Sequence, residues 1–230
     1  MVDWELCGRL TIHEEPQSPN GLEFRGYVSG DRKRCVDLSV AAWPGVNSSL
    51  PPGMKVDYWS LLVDLAYEYS DVHEVACCND TVVGVIFTRT AGAPSLAETV
   101  AFMRVYLSGL FRIARKVGIV KAFPLEFRSA LTELKILLKN PESDGEVALL
   151  VVDDKFRGIG IGRLLLERHL EHARKKGARV ISVYTTDPGC NWGFYEAYGF
   201  KKAVEFEDDI GSYLEGSRSK GMIFTLDLAR

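Results

Sequence analysis

The strand-like run Leu149-Leu150-Val151-Val152 and, shortly after it, the turn Arg157-Gly158-Ile159-Gly160-Ile161-Gly162 decide how the chain is read. The run is apolar and short, as a buried strand is. The turn opens a helix predicted over residues 161–176, whose Leu166, Leu170 and Ala173 keep helical spacing. A helix start offers unpaired backbone N–H groups and a partial positive charge, and glycines lacking Cβ let a phosphate come close to them. Glycine-rich turns also close tight strand-to-helix connections with no ligand, so at this point both readings stand.

Working outward toward the C-terminus, the pattern keeps alternating. A strand is expected at Arg179 to Thr185, a short helix at Asn191 to Tyr198, and two β-rich segments, Lys201 to Phe206 and Met222 to Leu228, around a polar loop. Toward the N-terminus, Glu146 opens the motif strand, and residues 91–145 read as helix. Ser95 and Glu98 form a capping box ahead of the stripe Leu96, Val100, Met103, Leu107, Leu110, Ala114 and Val117, with Gly109 as a weak point and Gly118 as the stop. Pro124 suits the start of a second helix carrying Phe127, Leu131, Leu134 and Leu138. Such stripes are expected to pack against their own chain, with a homodimer contact or the wall of a substrate pocket as the other uses.

Further upstream, Leu22 to Val28 alternates as a half-buried strand. Val36, Val40 and Trp43 mark a helix ended by Pro44 and Gly45, the stretch Pro44 to Val56 reads as a loop, and Tyr58, Leu62, Leu65 and Tyr69 mark a second helix. Residues 74–87 read as a hairpin about Asn79-Asp80, a pair that tolerates positive φ.

At 230 residues, 47% hydrophobic and 26% charged, the chain has the composition of an ordinary globular domain. A net charge of -3 gives no basic field for nucleic acid. No run approaches the ~20 apolar residues of a membrane span, and no charged-then-apolar leader is read at the N-terminus, so a cytoplasmic setting without membrane or nucleic-acid partners is expected. The odd cysteines, Cys7, Cys35, Cys77, Cys78 and Cys190, lack paired metal spacings and read as reduced thiols, with no metal expected.

Three ligands compete for the glycine turn. A dinucleotide fingerprint would place its third glycine at Arg163 and offers only Asp187 as a ribose partner. A P-loop needs Lys-Ser or Lys-Thr after the glycines, and none follows. A coenzyme A pyrophosphate remains. Here the sequence resembles the GNAT N-acyltransferases in two places: the motif Q/R-x-x-G-x-G/A, met by Arg157, Gly160 and Gly162, and an Asn-to-Gly-Phe segment, Asn191-Trp192-Gly193-Phe194-Tyr195-Glu196-Ala197-Tyr198-Gly199-Phe200. The resemblance covers about residues 146–206 and implies an α/β (α+β) fold. A central mixed, mostly antiparallel sheet would be flanked by helices in a single domain over 1–230, with a helical insertion at about 92–144 ahead of the coenzyme-binding strand.

The resemblance further implies that backbone groups of Leu150, Val151 and Val152 hydrogen-bond the pantetheine arm of acetyl-CoA. Arg157 and the N–H groups of Gly158, Ile159, Gly160, Ile161, Gly162 and Arg163 would hold the pyrophosphate, and Asn191 and Tyr198 would add contacts from the short helix. Acyl transfer to an amine needs a neutral nucleophile, a stabilised oxyanion and a proton for the departing thiolate. Tyr195 is the candidate proton donor, since a phenol of pKa about 10 is protonated at neutral pH, and Tyr198 is the fallback. Glu146 stands where some family members carry a general base. A backbone N–H near Val151 or Val152 would meet the oxyanion. Direct transfer in a ternary complex is expected, with Cys190 dispensable.

The expected activity is therefore acetyl transfer from acetyl-CoA to a small-molecule amine or a protein amino group; the alternative is a regulatory module that binds acyl-CoA without turnover. Acceptor choice is expected to lie with the segment Pro44 to Val56, the helix bearing Tyr58 and Trp59, and the inserted helices.

Overall fold

The computed structural model describes residues 21–90, 95–187 and 192–229. Strand β1 (Leu22–Gly26) leads through a 3-10 turn into α1 (Arg32–Ala42), α2 (Pro44–Ser49) and α3 (Lys55–Tyr69). The hairpin β2 (Val72–Cys78) and β3 (Thr81–Arg89) precedes two long helices, α4 (Leu96–Val117) and α5 (Ile119–Lys139). Then come β4 (Gly145–Val152), α6 (Ile161–Lys175), β5 (Val180–Asp187), α7 (Trp192–Tyr198), β6 (Lys201–Glu207), α8 (Asp209–Glu215) and β7 (Lys220–Asp227). The strands form one sheet in the order β1-β2-β3-β4-β5-β7-β6, mostly antiparallel, with β4 and β5 parallel. That is the mixed, helix-flanked sheet expected from the sequence.

One face of the sheet carries Ala76, Val83, Ile86, Val147, Val183 and Phe224 against Ile161, Leu165, Leu166 and Leu170 of α6 and Tyr195 of α7. The other face carries Val75, Val85, Phe87 and Val151 against Val36 of α1 and Trp59 and Val63 of α3. The hairpin turn forms where Asn79 and Asp80 adopt φ of 48° and 62°, a conformation that these two short polar side chains tolerate. Ser95 and Glu98 close the capping box reciprocally, Glu98 N to Ser95 Oγ at 3.3 Å and Ser95 N to Glu98 Oε2 at 2.7 Å.

Several expectations need correction. The stretch read as a loop contains α2, because Asn47 accepts the Trp59 indole N–H at 2.7 Å and donates to Val40 O at 2.5 Å, tying a polar segment to the core. A second short helix, α8, stands in the C-terminal loop, its Leu214 buried with residues of α4 and α5. Helix α5 begins at Ile119, directly after Gly118 at φ 83°, and carries Pro124 inside it rather than at its start. The stripe on α4 is not packed against its own chain along its length: Leu96, Val100, Met103 and Leu107 are exposed, while Leu110, Ala114 and Val117 meet the core. Gly109 is a crossing point instead of a weak point, since a Cβ there would lie 2.4 Å from Leu61 Cδ1 of α3. On α3 itself the fully buried core residues are Trp59, Leu61 and Val63, with Tyr58 and Leu65 packed against them and Leu62 exposed, which leaves Tyr69 at the helix end for another purpose.

Candidate active site

Strands β4 and β5 pair only through Gly145 with Ile181, Glu146 with Ser182 and Val147 with Val183. Beyond Val147, β4 continues along β3 as far as Val152 and β5 continues along β7, so the sheet splits into a V. Along the open arm, alternate backbone groups of β4 point away from β3 with no strand to receive them. Gly145 lets the apex close: a Cβ there would lie 2.6 Å from Arg89 O and 2.9 Å from Ile181 Cδ1.

At the open end of β4, Asp153 N donates to Val83 O at 2.8 Å and the Asp153 carboxylate pairs with Arg34 of α1, which fixes the strand exit. The turn that follows needs its glycines for conformation. Gly158 has φ 79°, and Gly160, the N-cap of α6, has φ 91° and ψ 0°, both in the left-handed region that side chains with Cβ resist. The first intrahelical bond is Leu164 N to Gly160 O at 2.9 Å, so the amides of Ile161, Gly162 and Arg163 are free of intrahelical acceptors. Gly162 is different. A Cβ there would only touch Val152 and Phe194 at 3.5 and 3.8 Å, which explains why a motif written G/A tolerates alanine at this place.

The V and the turn enclose a cleft of about 530 Å³. Of the residues expected at the site, Leu150, Val151, Val152, Arg157, Gly158, Gly160, Ile161, Gly162, Arg163 and Tyr195 line it. Ile159 is absent from the lining and 42% exposed. Arg157 is held by its own surroundings, with Nε donating to Val152 O at 3.3 Å and Nη1 paired with Asp154 at 2.8 Å. Tyr198 is absent from the cleft lining and lies tilted toward Phe200. Asn191 and Cys190 lie outside the described residues. Tyr195 is nearly buried and meets Phe194 and Phe200 edge-on at 5.1 and 5.5 Å, which fixes its ring in the wall. Trp43, Phe156 and Tyr184 are also in the lining; the sequence offered no spacing that would bring them there.

Glu146 sits at the closed end of the V, outside the cleft lining, on the face that looks toward α3. Burial pushes its carboxyl up from the ordinary range, and a hydrogen bond from Tyr69 Oη to Oε2 at 2.8 Å works against that rise. Across from it, Glu133 of α5 is raised by burial and by the charges of Glu146 and Asp208, although part of its side chain still reaches solvent. Tyr106 donates to Glu126 at 3.0 Å, and Thr132 donates to the buried Asp208 at 2.8 Å. Burial raises the Tyr58 hydroxyl, with the charges of Asp208, Glu126 and Glu133 adding to it. Phenols of α3 and α4 and carboxylates of α5 and β4 thus lie within electrostatic reach of one another beside the sheet. Among the described residues no three His, Cys, Asp or Glu side chains converge as a metal ion would need, and no helix is long and apolar enough to cross a membrane.

Comparison with known proteins shows what this arrangement is similar to. Residues 110–202, from within α4 to the start of β6, match the family described as Acetyltransferase (GNAT) domain. A search of curated proteins finds no match. Among solved structures, PH1933 from Pyrococcus horikoshii OT3 is similar with a TM-score of 0.57 and 17% identity, over 90% of this chain and 98% of that one. An agmatine N-acetyltransferase variant is similar with a TM-score of 0.54 and 15% identity, over 90% and 100%. Ard1 from Thermoplasma volcanium follows at 0.51 and 14%, over 90% and 99%. At such identities the neighbours establish the fold. Residues 110–202 are thus similar to the GNAT acetyltransferase domain, and the whole chain shares its fold with these solved structures.

Proposed function

We propose that this protein is an N-acetyltransferase that moves an acetyl group from acetyl-CoA to an amine by direct attack in a ternary complex. The observation that carries the reading is the V between β4 and β5, with free helix-start amides of α6 at its mouth, Tyr195 in its wall and Glu146 at its apex. Acetyl-CoA supplies the acetyl group as a thioester. The open arm of β4 offers Leu150, Val151 and Val152 as backbone partners for the amides of a pantetheine arm, and the amides from Gly158 to Arg163 suit a pyrophosphate. Tyr195 donates a proton toward the departing sulfur, and Glu146 takes one from the incoming ammonium, so the amine arrives at the carbonyl neutral. A backbone N–H near Val151 or Val152 would meet the oxyanion.

The carboxylates of Glu126, Glu133, Glu146 and Asp208, none of them ion-paired to a described lysine or arginine, favour an acceptor that arrives as a cation. The agmatine N-acetyltransferase neighbour acts on such an amine by its name, which makes small cationic amines the first to try. The test is calorimetric titration with acetyl-CoA and, as a control, NADH, followed by thiol release with spermidine and with a lysine-bearing peptide. Binding of acetyl-CoA alone and amine-dependent thiol release are expected. No binding of acetyl-CoA at millimolar concentration would leave the glycine turn a purely structural connection.

A further inference from the structure

We infer that Tyr69 is the positioning residue for Glu146: it fixes which carboxylate oxygen receives the acceptor's proton, and Arg89 in turn fixes Tyr69. This rests on the reading of Glu146 as the base. Tyr69 ends α3, and its hydroxyl donates to Glu146 Oε2 at 2.8 Å. Oε1 accepts no hydrogen bond from a described residue, so the arrangement engages one oxygen and leaves the other for an incoming N–H. The phenol is itself held at both ends. Arg89, 5% exposed, donates through Nη1 to the Tyr69 carbonyl at 2.8 Å, and its guanidinium lies over the Tyr69 ring at 5.4 Å.

The backbone brings these three residues together. Arg89 and Glu146 are direct partners across β3 and β4, so their side chains rise from the same face of the sheet, with Tyr69 between them. After Tyr69 the chain enters β2 through Asp71, whose carboxylate accepts Thr90 N at 2.7 Å and Thr90 Oγ1 at 2.9 Å beside Arg89. The helix end carrying Tyr69 is thus tied to the strand end carrying Arg89. The charged and titratable groups facing Glu146 are Tyr69 from α3, Arg89 from β3 and Glu133 from α5, while its β5 partner is the neutral Ser182. Burial favours the protonated acid, which cannot accept a proton. The Tyr69 hydrogen bond opposes it. Proton balance is simple: the ammonium N–H bond breaks, an O–H bond forms on Glu146, and Tyr69 keeps its own proton throughout.

The experiment is a pH titration of the full chain carrying ¹³C-carboxyl glutamate, followed by NMR, with the Glu146 signal assigned from its loss in Glu146→Gln. Tyr69→Phe keeps the ring under Arg89 and removes only the hydroxyl. The Glu146 midpoint is expected to move up by about one pH unit, a tenfold change in proton affinity, because a hydrogen bond that favours the ionised form has been lost. Arg89→Lys, which keeps the charge but not the forked contact, should move it in the same direction by less and serves as the second variant if Tyr69→Phe does not fold. An unchanged midpoint in a folded variant overturns the positioning role. Thiol release with spermidine separates this from the parent reading. Full activity of Glu146→Gln removes the base and the positioning proposal with it, whereas a midpoint fixed in Tyr69→Phe beside an inactive Glu146→Gln removes the positioning proposal alone.

Discussion

Adding one methyl group at the apex of the V, Gly145→Ala, should loosen the sheet where its two halves meet. The new Cβ would sit 2.6 Å from the Arg89 carbonyl oxygen and 2.9 Å from Ile181 Cδ1. Ile181 can turn its side chain. The carbonyl cannot yield without moving β3, and it belongs to the residue that supports Tyr69. Overpacking of this kind costs about 1–3 kcal/mol, and removing a glycine from the unfolded chain returns somewhat less than 1 kcal/mol. The net loss is about 1–2 kcal/mol, which in a chain of this size lowers Tm by roughly 2–8 °C. Gly162→Ala is the internal control, since its methyl meets nothing closer than 3.5 Å and lies in a helix, where alanine is favoured. Scanning calorimetry of the two variants, with acetyl-CoA affinity measured alongside, reads the difference. If Gly145→Ala melts with the wild type and binds equally well, the apex is not closely packed and the account of how the V is held fails.

Gly160→Glu should abolish acetyl-CoA binding in calorimetry, because it forces a side chain into φ 91° and puts a negative charge at the helix start; retained affinity would move the pyrophosphate elsewhere. Tyr195→Phe should lower kcat in thiol release by about 10²-fold while the KM for acetyl-CoA holds, the loss typical of removing a general acid. Burial pulls His169 down to about 4, the charge of His172 adding to it, and neither ring nitrogen is hydrogen-bonded to a described residue. Its folded pKa lies below its unfolded value of about 6.5, so the unfolded chain takes up the proton first. The neutral ring contributes fully above pH 6.5, and that contribution, on the order of 2–3 kcal/mol, is lost as pH falls toward 4. Urea unfolding of His169→Leu should show a flatter decline across that window.

Much of the sheet was legible because its signals are local. Asn79-Asp80, the Ser95–Glu98 box and the glycines before α6 each act within a few residues, and each appears where expected. The start of α5 was misplaced because Pro124 is a good first residue of a helix, yet Gly118 already supplies the break from α4. The α4 stripe shows why periodicity reports a face but not what covers it: Leu96 and Ala114 lie on one stripe, and only the second meets the core. The site divided in the same way. The glycine turn and Tyr195 could be read from motif residues close in sequence, whereas the contact of Tyr69 with Glu146 spans 77 residues and depends on the register of β3 against β4. Nothing in the spacing of α3 distinguishes a tyrosine that packs from one that donates to a carboxylate.

The short seam between β4 and β5 has a mechanical meaning as well. Four strands on one side and three on the other are joined edge to edge by three residue pairs, so the sheet behaves as two plates on a narrow hinge. A molecule that lays its own amides along the open arm of β4 works as a clasp across that hinge, and the free energy of its binding adds directly to the cohesion of the plates. Alternate amides between Ala148 and Val152 should then exchange with solvent hydrogen quickly in the free protein and slowly once the clasp is in place. The rigidity of the fold would follow the supply of the molecule that closes the clasp.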